Sequence, residues 1–410
     1  MVMSSITSVS AQNVFMPNKT FVKEDDKVSF LMRKVVEVKN EKKQDIEKKR
    51  STLSGRYLSL SPDSDGILVF GDLFSMGFLG FQAVQNFFPS IISSTLIKIT
   101  GILGMIGGVI NVFVGIICVV QGIKKVGKQG QGYNAARLLI DGVLMIAIGG
   151  VMIFSLFSSV IVVTCPYLLP LLFALLSVFI TFEVGKYVVP MFLGKDLGTR
   201  FMREMRNMQQ CTVLDQQEKK VSGIVEKFFS IKDGKDSYSI NTLQNETDQR
   251  MWELLCKKMD QLEGEIGTEA AIALYNLMLQ LVKASTTTDD GEFGSIINNL
   301  VEERDKLDSL FTKWRWIQYT RFAQQVLYIV ASVASWATFI RGWPVDIING
   351  CVNFFMTLAN FIPLVLDITC PFERNVPVVV GKVTANDYPE EAIRAMQKAS
   401  QLQADIVAAA

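Results

Sequence analysis

Apolar, nearly uncharged stretches alternate with charged segments along this chain of 410 residues. A helix that crosses a bilayer needs about 20 predominantly apolar residues. Six segments approach that length, around residues 67–88, 99–123, 138–163, 167–189, 322–340 and 347–366. The pattern predicts an all-α fold: a polytopic helical membrane protein with about six spans in three hairpins and a cytosolic helical bundle.

The hydropathy pattern divides the chain into five regions. Residues 1–66 form a polar N-terminal region with a short, solvent-facing amphipathic helix and a linker, and residues 67–190 form a first membrane domain. Residues 191–321 form a cytosolic helical domain, 322–367 a second membrane hairpin, and 368–410 a C-terminal tail with an amphipathic helix. We expect both termini and the helical domain to lie in the cytoplasm.

Small residues recur at a fixed interval in the second and third apolar segments. Seven glycines form this seam: Gly101, Gly104, Gly108, Gly115, Gly122, Gly142 and Gly149. Inside lipid, helices associate through close backbone approach, which small residues permit. The favoured interpretation is packing between these two segments within one chain. The alternative is oligomerisation of such hairpins, including oligomerisation around a pore.

A short connection between the same two segments is basic and contains no acidic residue. Its four cations are Lys124, Lys125, Lys128 and Arg137. Cytoplasmic loops are enriched in Lys and Arg, so these residues determine the predicted topology. Residues 33–50 contain eight further basic side chains. If both stretches face the cytoplasm, segment 67–88 has to cross the membrane, although its polar residues also fit a helix that dips in or lies flat.

The region between the membrane domains has a helical pattern throughout. Residues 191–342 contain no proline, and apolar residues recur at helical spacing. Ile296, Leu300, Leu307, Leu310 and Trp314 approach a heptad seam, typical of a coiled coil or of an ordinary bundle. We expect a bundle with its own core that binds protein partners through residues 195–321.

Composition argues against several classes of function. The net charge of +1 provides no basic excess for neutralising phosphates, so we expect no binding to nucleic acid. The chain has no histidine, the commonest general base and zinc ligand. Its six cysteines contain no Cys-x-x-Cys pair and are expected to be buried free thiols. Because phosphate-binding and nucleophile motifs are also missing, we expect no enzyme, cofactor or metal.

The first thirty residues lack a basic segment followed by an apolar core, so no secretory signal is predicted. Two apolar lobes, 99–123 and 138–182, follow and are joined by the basic connection. This hydropathy pattern, over about residues 19–232, resembles that of the inclusion membrane proteins of chlamydiae. The resemblance implies type III secretion into a vacuole membrane, termini in the host cytosol, and recruitment or fusion of host membranes through helical segments.

Two hypotheses about function follow. The leading one is an integral membrane scaffold or effector, in a bacterial envelope or a host vacuole membrane, whose helical domain binds proteins. The alternative is a pore or channel, similar to a type III translocator, assembled as a homo-oligomer through the glycine seam. Membrane lipids are expected partners in both cases.

Overall fold

The computed structural model describes most of the chain. The described residues are 24–51, 66–91, 93–126, 132–157, 168–211, 213–287, 289–337, 342, 344–369 and 382–409. About 88% of them are helical, so the all-α prediction is confirmed. The ends of predicted spans 138–163 and 322–340 and the first residue of span 167–189 lie outside the described residues.

The described helices form two groups. The group called here the apolar half contains α2 (Gly66–Phe87), α3 (Ser94–Lys125), α4 (Gly132–Phe157), α5 (Leu168–Phe192), the end of α11 (Asp290–Trp336) and α12 (Val345–Thr369). The group called the bundle contains α1 (Glu24–Ser51), α6 (Leu197–Gln209), α7 (Leu214–Phe229), α8 (Ile240–Leu243), α9 (Asp248–Ile266), α10 (Thr268–Thr286), the start of α11, and α13 (Glu390–Ala409).

In the apolar half, α3 and α4 form an antiparallel hairpin. Helix α2 packs against α3 and α12, whereas α5 and α12 both pack against α11. By length and composition, Ser94–Lys124 and Val345–Leu366 can each cross a membrane, and Leu138–Phe154 is a shorter apolar helix. A core helix of a soluble protein meets the same criterion. These measures therefore give weak support to membrane association and do not support six spans.

Helix α1 is part of the bundle core, which corrects the predicted solvent-facing helix. Val28, Leu31, Met32 and Val35 are 0% exposed, and α1 packs against α9 and α10. The helix itself was predictable from its apolar spacing. Its environment was not, because the two helices that cover it lie more than 190 residues further along the chain.

A two-stranded hairpin interrupts the region predicted to be helical throughout. Strands β1 (Ile231–Asp233) and β2 (Asp236–Tyr238) pair antiparallel, with Asp233 opposite Asp236. Gly234, the first of the two loop residues, has a φ of 63°. Glycine is favoured there because that position in a type II′ hairpin loop needs a positive φ. The Gly234-Lys235 loop, with glycine in its first position, is the sequence pattern that marks this turn.

Helix α11 joins the two groups without a break at the predicted boundary between residues 321 and 322. It contains 47 residues, which corresponds to about 70 Å of helix. Phe293, Leu300 and Leu307 near its start lie in the bundle core. Ala331 near its end lies in a second core with Met356 of α12. One continuous helix therefore connects the bundle to the apolar half.

The C-terminal segment also belongs to the bundle. Val383 and Ile393 lie in the bundle core. The Trp252 Nε1 donates to the backbone oxygen of Thr384 at 3.0 Å. In consequence, α1, the central helices and the start of the C-terminal segment all share one core.

Candidate functional site

The glycines of α3 and α4 face one another where the two helices approach most closely. A Cβ on Gly115 would lie 2.6 Å from the carbonyl oxygen of Gly142, and a Cβ on Gly142 would lie 2.7 Å from that of Gly115. Seven residues earlier on α3, a Cβ on Gly108 would lie 2.9 Å from the carbonyl oxygen of Gly149. Since any side chain would force the backbones apart, only glycine permits this contact.

The remaining seam glycines have different neighbours. A Cβ on Gly122 would lie 2.8 Å from Cγ of Leu139 on α4, whereas one on Gly104 would lie 2.8 Å from the ring of Phe78 on α2. Gly101 is half-buried on α3. The structure thus places the seam in contacts within one chain, and oligomerisation through the same surface would require this hairpin to open.

The four predicted topology residues lie around the connection between α3 and α4. Lys124 is exposed near the end of α3, and Lys125 is its last residue. Arg137 lies in the second turn of α4. Lys128 lies outside the described residues.

Large apolar side chains cover the outer surface of the apolar half. The exposed fraction reaches 76% for Phe182, 60% for Phe154 and 64% for Val333. On α3, the face opposite the glycines is also exposed and apolar; its members include Ile102, Val109, Phe113, Ile116, Val120 and Ile123. Among the described residues of α1 and of 197–315, the exposed large apolar side chains are Val213 and Val301. A continuous apolar surface limited to one half of a molecule is typical of a membrane or protein contact.

A line of polar residues occupies the buried face of α11 within the apolar half. Its members are Gln318, Arg321, Gln325, Tyr328, Ser332 and Ser335. These residues are alternately three and four positions apart. The same spacing connects them to the buried Phe311 and Trp314 in the bundle, so the buried face is continuous along the helix. We call this line the polar seam. The sequence interpretation did not include it, although its heptad spacing is visible in the sequence.

Several atoms of the polar seam have no hydrogen-bond partner. Gln318 is 0% exposed, and neither its Nε2 nor its Oε1 has a hydrogen-bond partner. Oε1 of Gln325 and Oγ of Ser332 are also buried without a partner. In contrast, the Tyr328 hydroxyl donates to Oδ1 of Asn360 on α12. Each unsatisfied buried polar atom costs about 1–3 kcal/mol. The polar seam therefore needs water or another polar group to complete it.

Within the described residues, no group of three His, Cys, Asp or Glu side chains is placed to hold a metal ion. Cys211, Cys256 and Cys351 are free thiols. Burial raises the pKa of Cys256 to about 12, which makes this thiol a poor nucleophile at neutral pH. That the chain is not an enzyme stays a prediction.

No protein-family model, curated protein or solved structure matches the chain. A function can therefore be argued only from its own residues and geometry.

Proposed function

We propose that the chain is an integral, multi-pass membrane protein that holds a helical bundle at the membrane surface as a scaffold for protein partners. The observation that carries the proposal is the division of the molecular surface into a polar and an apolar part. The outer face is polar around the bundle and apolar around the other helices. Because α11 runs through both halves, the bundle is held at a fixed position relative to the membrane instead of on a flexible linker.

The aromatic residues of α11 support a membrane crossing by its second half. Trp316 is 67% exposed and Trp336 is 49% exposed. The two are 20 positions apart, which corresponds to about 30 Å of helix, the thickness of a bilayer's hydrocarbon core. Tryptophan prefers the headgroup level at both membrane surfaces. Between the two, Val326, Val330 and Val333 are exposed and would contact lipid.

The shared bundle core supports an even number of crossings. Because α1 and the central helices pack together, the chain from α2 to α5 has to leave and re-enter the same side of the membrane. If α3, α4 and α5 cross, α2 must cross as well. The same reasoning pairs α11 with α12. Six crossings satisfy both conditions, and they place Lys124 on the side of the bundle, as the positive-inside rule requires.

Labelling of cysteine variants with a membrane-impermeant maleimide in proteoliposomes tests this topology. Glu37→Cys, Lys219→Cys and Gln401→Cys place thiols at exposed positions of α1, α7 and α13, and Ser90→Cys places one between α2 and α3. Peptide mass analysis separates these thiols from the native cysteines. We expect the first three to react from one side and Ser90→Cys from the other. Reaction of Glu37→Cys and Lys219→Cys from opposite sides would overturn the topology.

Membrane insertion and partner binding need separate measurements. We expect the chain to float with liposomes and to resist alkaline extraction, and recovery in the soluble fraction would refute insertion. For partners, crosslinking through Lys219→Cys in the native membrane should capture specific proteins. Capture equal to that of the opposite-side control, Ser90→Cys, would count against the scaffold. The tagged chain's location would distinguish a bacterial envelope from the host vacuole membrane that the resemblance implies.

The polar seam favours a second candidate function, a hydrated path through the apolar half. The unpaired amide of Gln318 and the unpaired amide oxygen of Gln325 are suited to hold a line of water between α11 and its neighbours. Ion or proton flux across proteoliposomes tests this. We expect Gln325→Leu to abolish flux and its neighbour Gln324→Leu, which lies off the seam, to preserve it. No flux from the unmodified protein at high occupancy would eliminate this candidate.

A further inference from the structure

We propose that a cavity between the end of α5 and the bundle binds the headgroup of an amine-bearing phospholipid, a phosphate joined to a primary ammonium. This inference rests on the proposed membrane function. The cavity has a volume of about 470 Å³, within the range of small-molecule sites, about 300–1,000 Å³. Its walls come from α5, α6, α9 and α11, so it lies where the apolar half meets the bundle.

The chain reversal that forms one wall is built by two local motifs. Helix α5 ends at Phe192, and Gly194, two residues further on, has a φ of 61°. The backbone N–H of Lys195 donates to the backbone oxygen of Pro190 at 2.8 Å, and the backbone N–H of Gly194 donates to the backbone oxygen of Met191 at 3.1 Å. This pair of hydrogen bonds is a Schellman motif. Asp196 then caps α6 by accepting from the backbone N–H of Thr199 at 3.0 Å. These consecutive motifs fix the direction of Lys195.

Three cations line the cavity and are available to an anion. Lys186, Lys195 and Arg200 are all exposed. Across the part of the chain that the structure describes, none of the three is within 4 Å of an acidic side chain. Arg200 instead lies over the ring of Phe228 at 5.9 Å. A phosphate between them would accept several charge-assisted hydrogen bonds.

Two residues of the cavity wall each have a buried polar atom that lacks a partner. Trp314 is 2% exposed, and its Nε1 is buried without an acceptor. Asp260 has one oxygen, Oδ1, that is buried without a donor, whereas its Oδ2 faces Lys382 at 3.5 Å. A small shift of either side chain toward the cavity would let a phosphate oxygen accept from Trp314 and a primary ammonium donate to Asp260. Asp196 and Glu265, also in the lining, add two further negative charges.

The surroundings of the cavity suit a lipid better than a soluble metabolite. Phe192 and Leu193, just beyond the lining residues of α5, are 71% and 61% exposed. The ring of Phe192 lies 5.0 Å from that of Tyr319 on α11, near the exposed Trp316. Acyl chains can lie along this apolar surface while the headgroup occupies the charged cavity. A soluble headgroup would gain the polar contacts without the apolar ones.

Native mass spectrometry of the full chain in detergent micelles tests the site. The probes are dihexanoyl phosphatidylethanolamine, the corresponding choline and glycerol lipids, and water-soluble glycerophosphoethanolamine. We expect one ethanolamine lipid per chain, bound at least tenfold more tightly than the other probes. The choline lipid cannot donate a hydrogen bond to Asp260, the glycerol lipid has no cation, and the soluble compound has no acyl chains.

Variants assign the contacts. Lys195→Gln and Arg200→Gln should each weaken ethanolamine-lipid binding about tenfold, whereas Lys219→Gln, exposed on α7 outside the cavity, should not. Asp260→Asn should remove the preference for ethanolamine over choline. Because Asp260 is half-buried and its variant could fail to fold, Glu265→Gln provides a second, exposed test that should reduce the same preference.

Three results would overturn the inference: equal binding of all three lipids, unchanged binding by both cation variants, or glycerophosphoethanolamine bound as tightly as the lipid. The last would assign the cavity to a soluble ligand. Liposome flotation is measured separately. A chain that binds the lipid in detergent but fails to float would refute the proposed function and leave the site intact.

Discussion

Lys39 and Glu263 form an ion pair inside the bundle that joins α1 to α9. Their Nζ and Oε2 atoms lie 2.6 Å apart, and the side chains are 0% and 1% exposed. The hydroxyl of Thr268 donates to the other carboxylate oxygen at 2.7 Å. Replacing Lys39 with methionine leaves a buried carboxylate without its cation. Removing one partner of a buried pair typically costs about 3–5 kcal/mol.

The double variant Lys39→Met/Glu263→Gln should recover most of that loss. Glutamine keeps an oxygen that accepts from Thr268 but carries no charge, so no unpaired ion is left in the core. Replacing both members of a buried pair by neutral residues is often nearly neutral or stabilising. We expect the double variant to lie within about 1.5 kcal/mol of the unmodified chain, a clear separation from the single variant.

The buried thiol of Cys256 provides the assay. It is 6% exposed, and because burial raises its pKa to about 12, alkylation at pH 8 requires the bundle to open. When closing is faster than alkylation, the rate reports the free energy of opening. A loss of about 3–5 kcal/mol accelerates labelling by roughly 100- to 5,000-fold. The half-buried Cys211 in the same chain serves as the internal reference.

Lys34→Met is the matched control on α1. Lys34 pairs with Glu37 at the surface, where the side chains are 30% and 46% exposed. Such pairs contribute up to about 1 kcal/mol, so we expect labelling of Cys256 to rise no more than about fivefold. If Lys39→Met labels no faster than Lys34→Met, Glu263 is solvated and α1 does not pack in the bundle.

Three further outcomes are expected. Gly115→Ala, whose Cβ would meet the Gly142 backbone, should lower the thermal stability of the detergent-solubilised chain by about 1–3 kcal/mol without changing its oligomeric state in light scattering. Gly150→Ala, whose Cβ would have nothing within 4 Å, should leave the stability unchanged. A changed oligomeric state of Gly115→Ala would show that the glycine seam joins separate chains. Asp196→Ala should destabilise the chain by about 1–2 kcal/mol through loss of the α6 cap, measured by chemical unfolding, and an unchanged midpoint would contradict the cap. Burial lowers the pKa of Lys258 from 10.5 to about 8, so the unfolded chain binds this proton more tightly. Stability should therefore rise from about pH 8 to 10.5 by up to about 3 kcal/mol, and Lys258→Met should flatten that rise; an equal rise in the variant would refute it.

The glycine seam shows how much a spacing pattern can predict. A seven-residue interval on two neighbouring segments indicates close packing, and the short connection between the segments makes an antiparallel hairpin the simplest partner arrangement. The structure pairs Gly108 with Gly149 and Gly115 with Gly142. The sequence did not reveal that Gly104 contacts α2 instead of α4, because that depends on how a third helix packs.

Helix α1 shows what a sequence pattern cannot predict. Its apolar spacing defines a stripe but does not say whether another element covers it. Lys39 is a charged residue beside that stripe, and a lysine is almost never fully buried unless it is paired. Its partner, Glu263, lies 224 residues further along the chain. Neither burial nor pairing at such a separation follows from local periodicity, so both required the fold.

Helix α11 shows how an average over a whole helix hides the difference between its two faces. The predicted seam used Ile296 and Leu310, whereas the buried residues are their neighbours Ile297 and Phe311. The buried register then continues through Gln318 and Gln325. An average over the helix treats these two glutamines as evidence against a span, although only the outer face would contact lipid.

The two halves of α11 have opposite arrangements of polarity around one continuous register. In the bundle, Leu307 faces inward and the charged Glu302 and Lys306 face out. In the apolar half, Gln325 faces inward and Val326 faces out. A helix surrounded by water places its apolar residues inside, and a helix surrounded by lipid has only its interior for polar ones. The change falls beside Trp316, where the aromatic belt would lie, so the proposed passage of α11 from water into lipid would account for both halves.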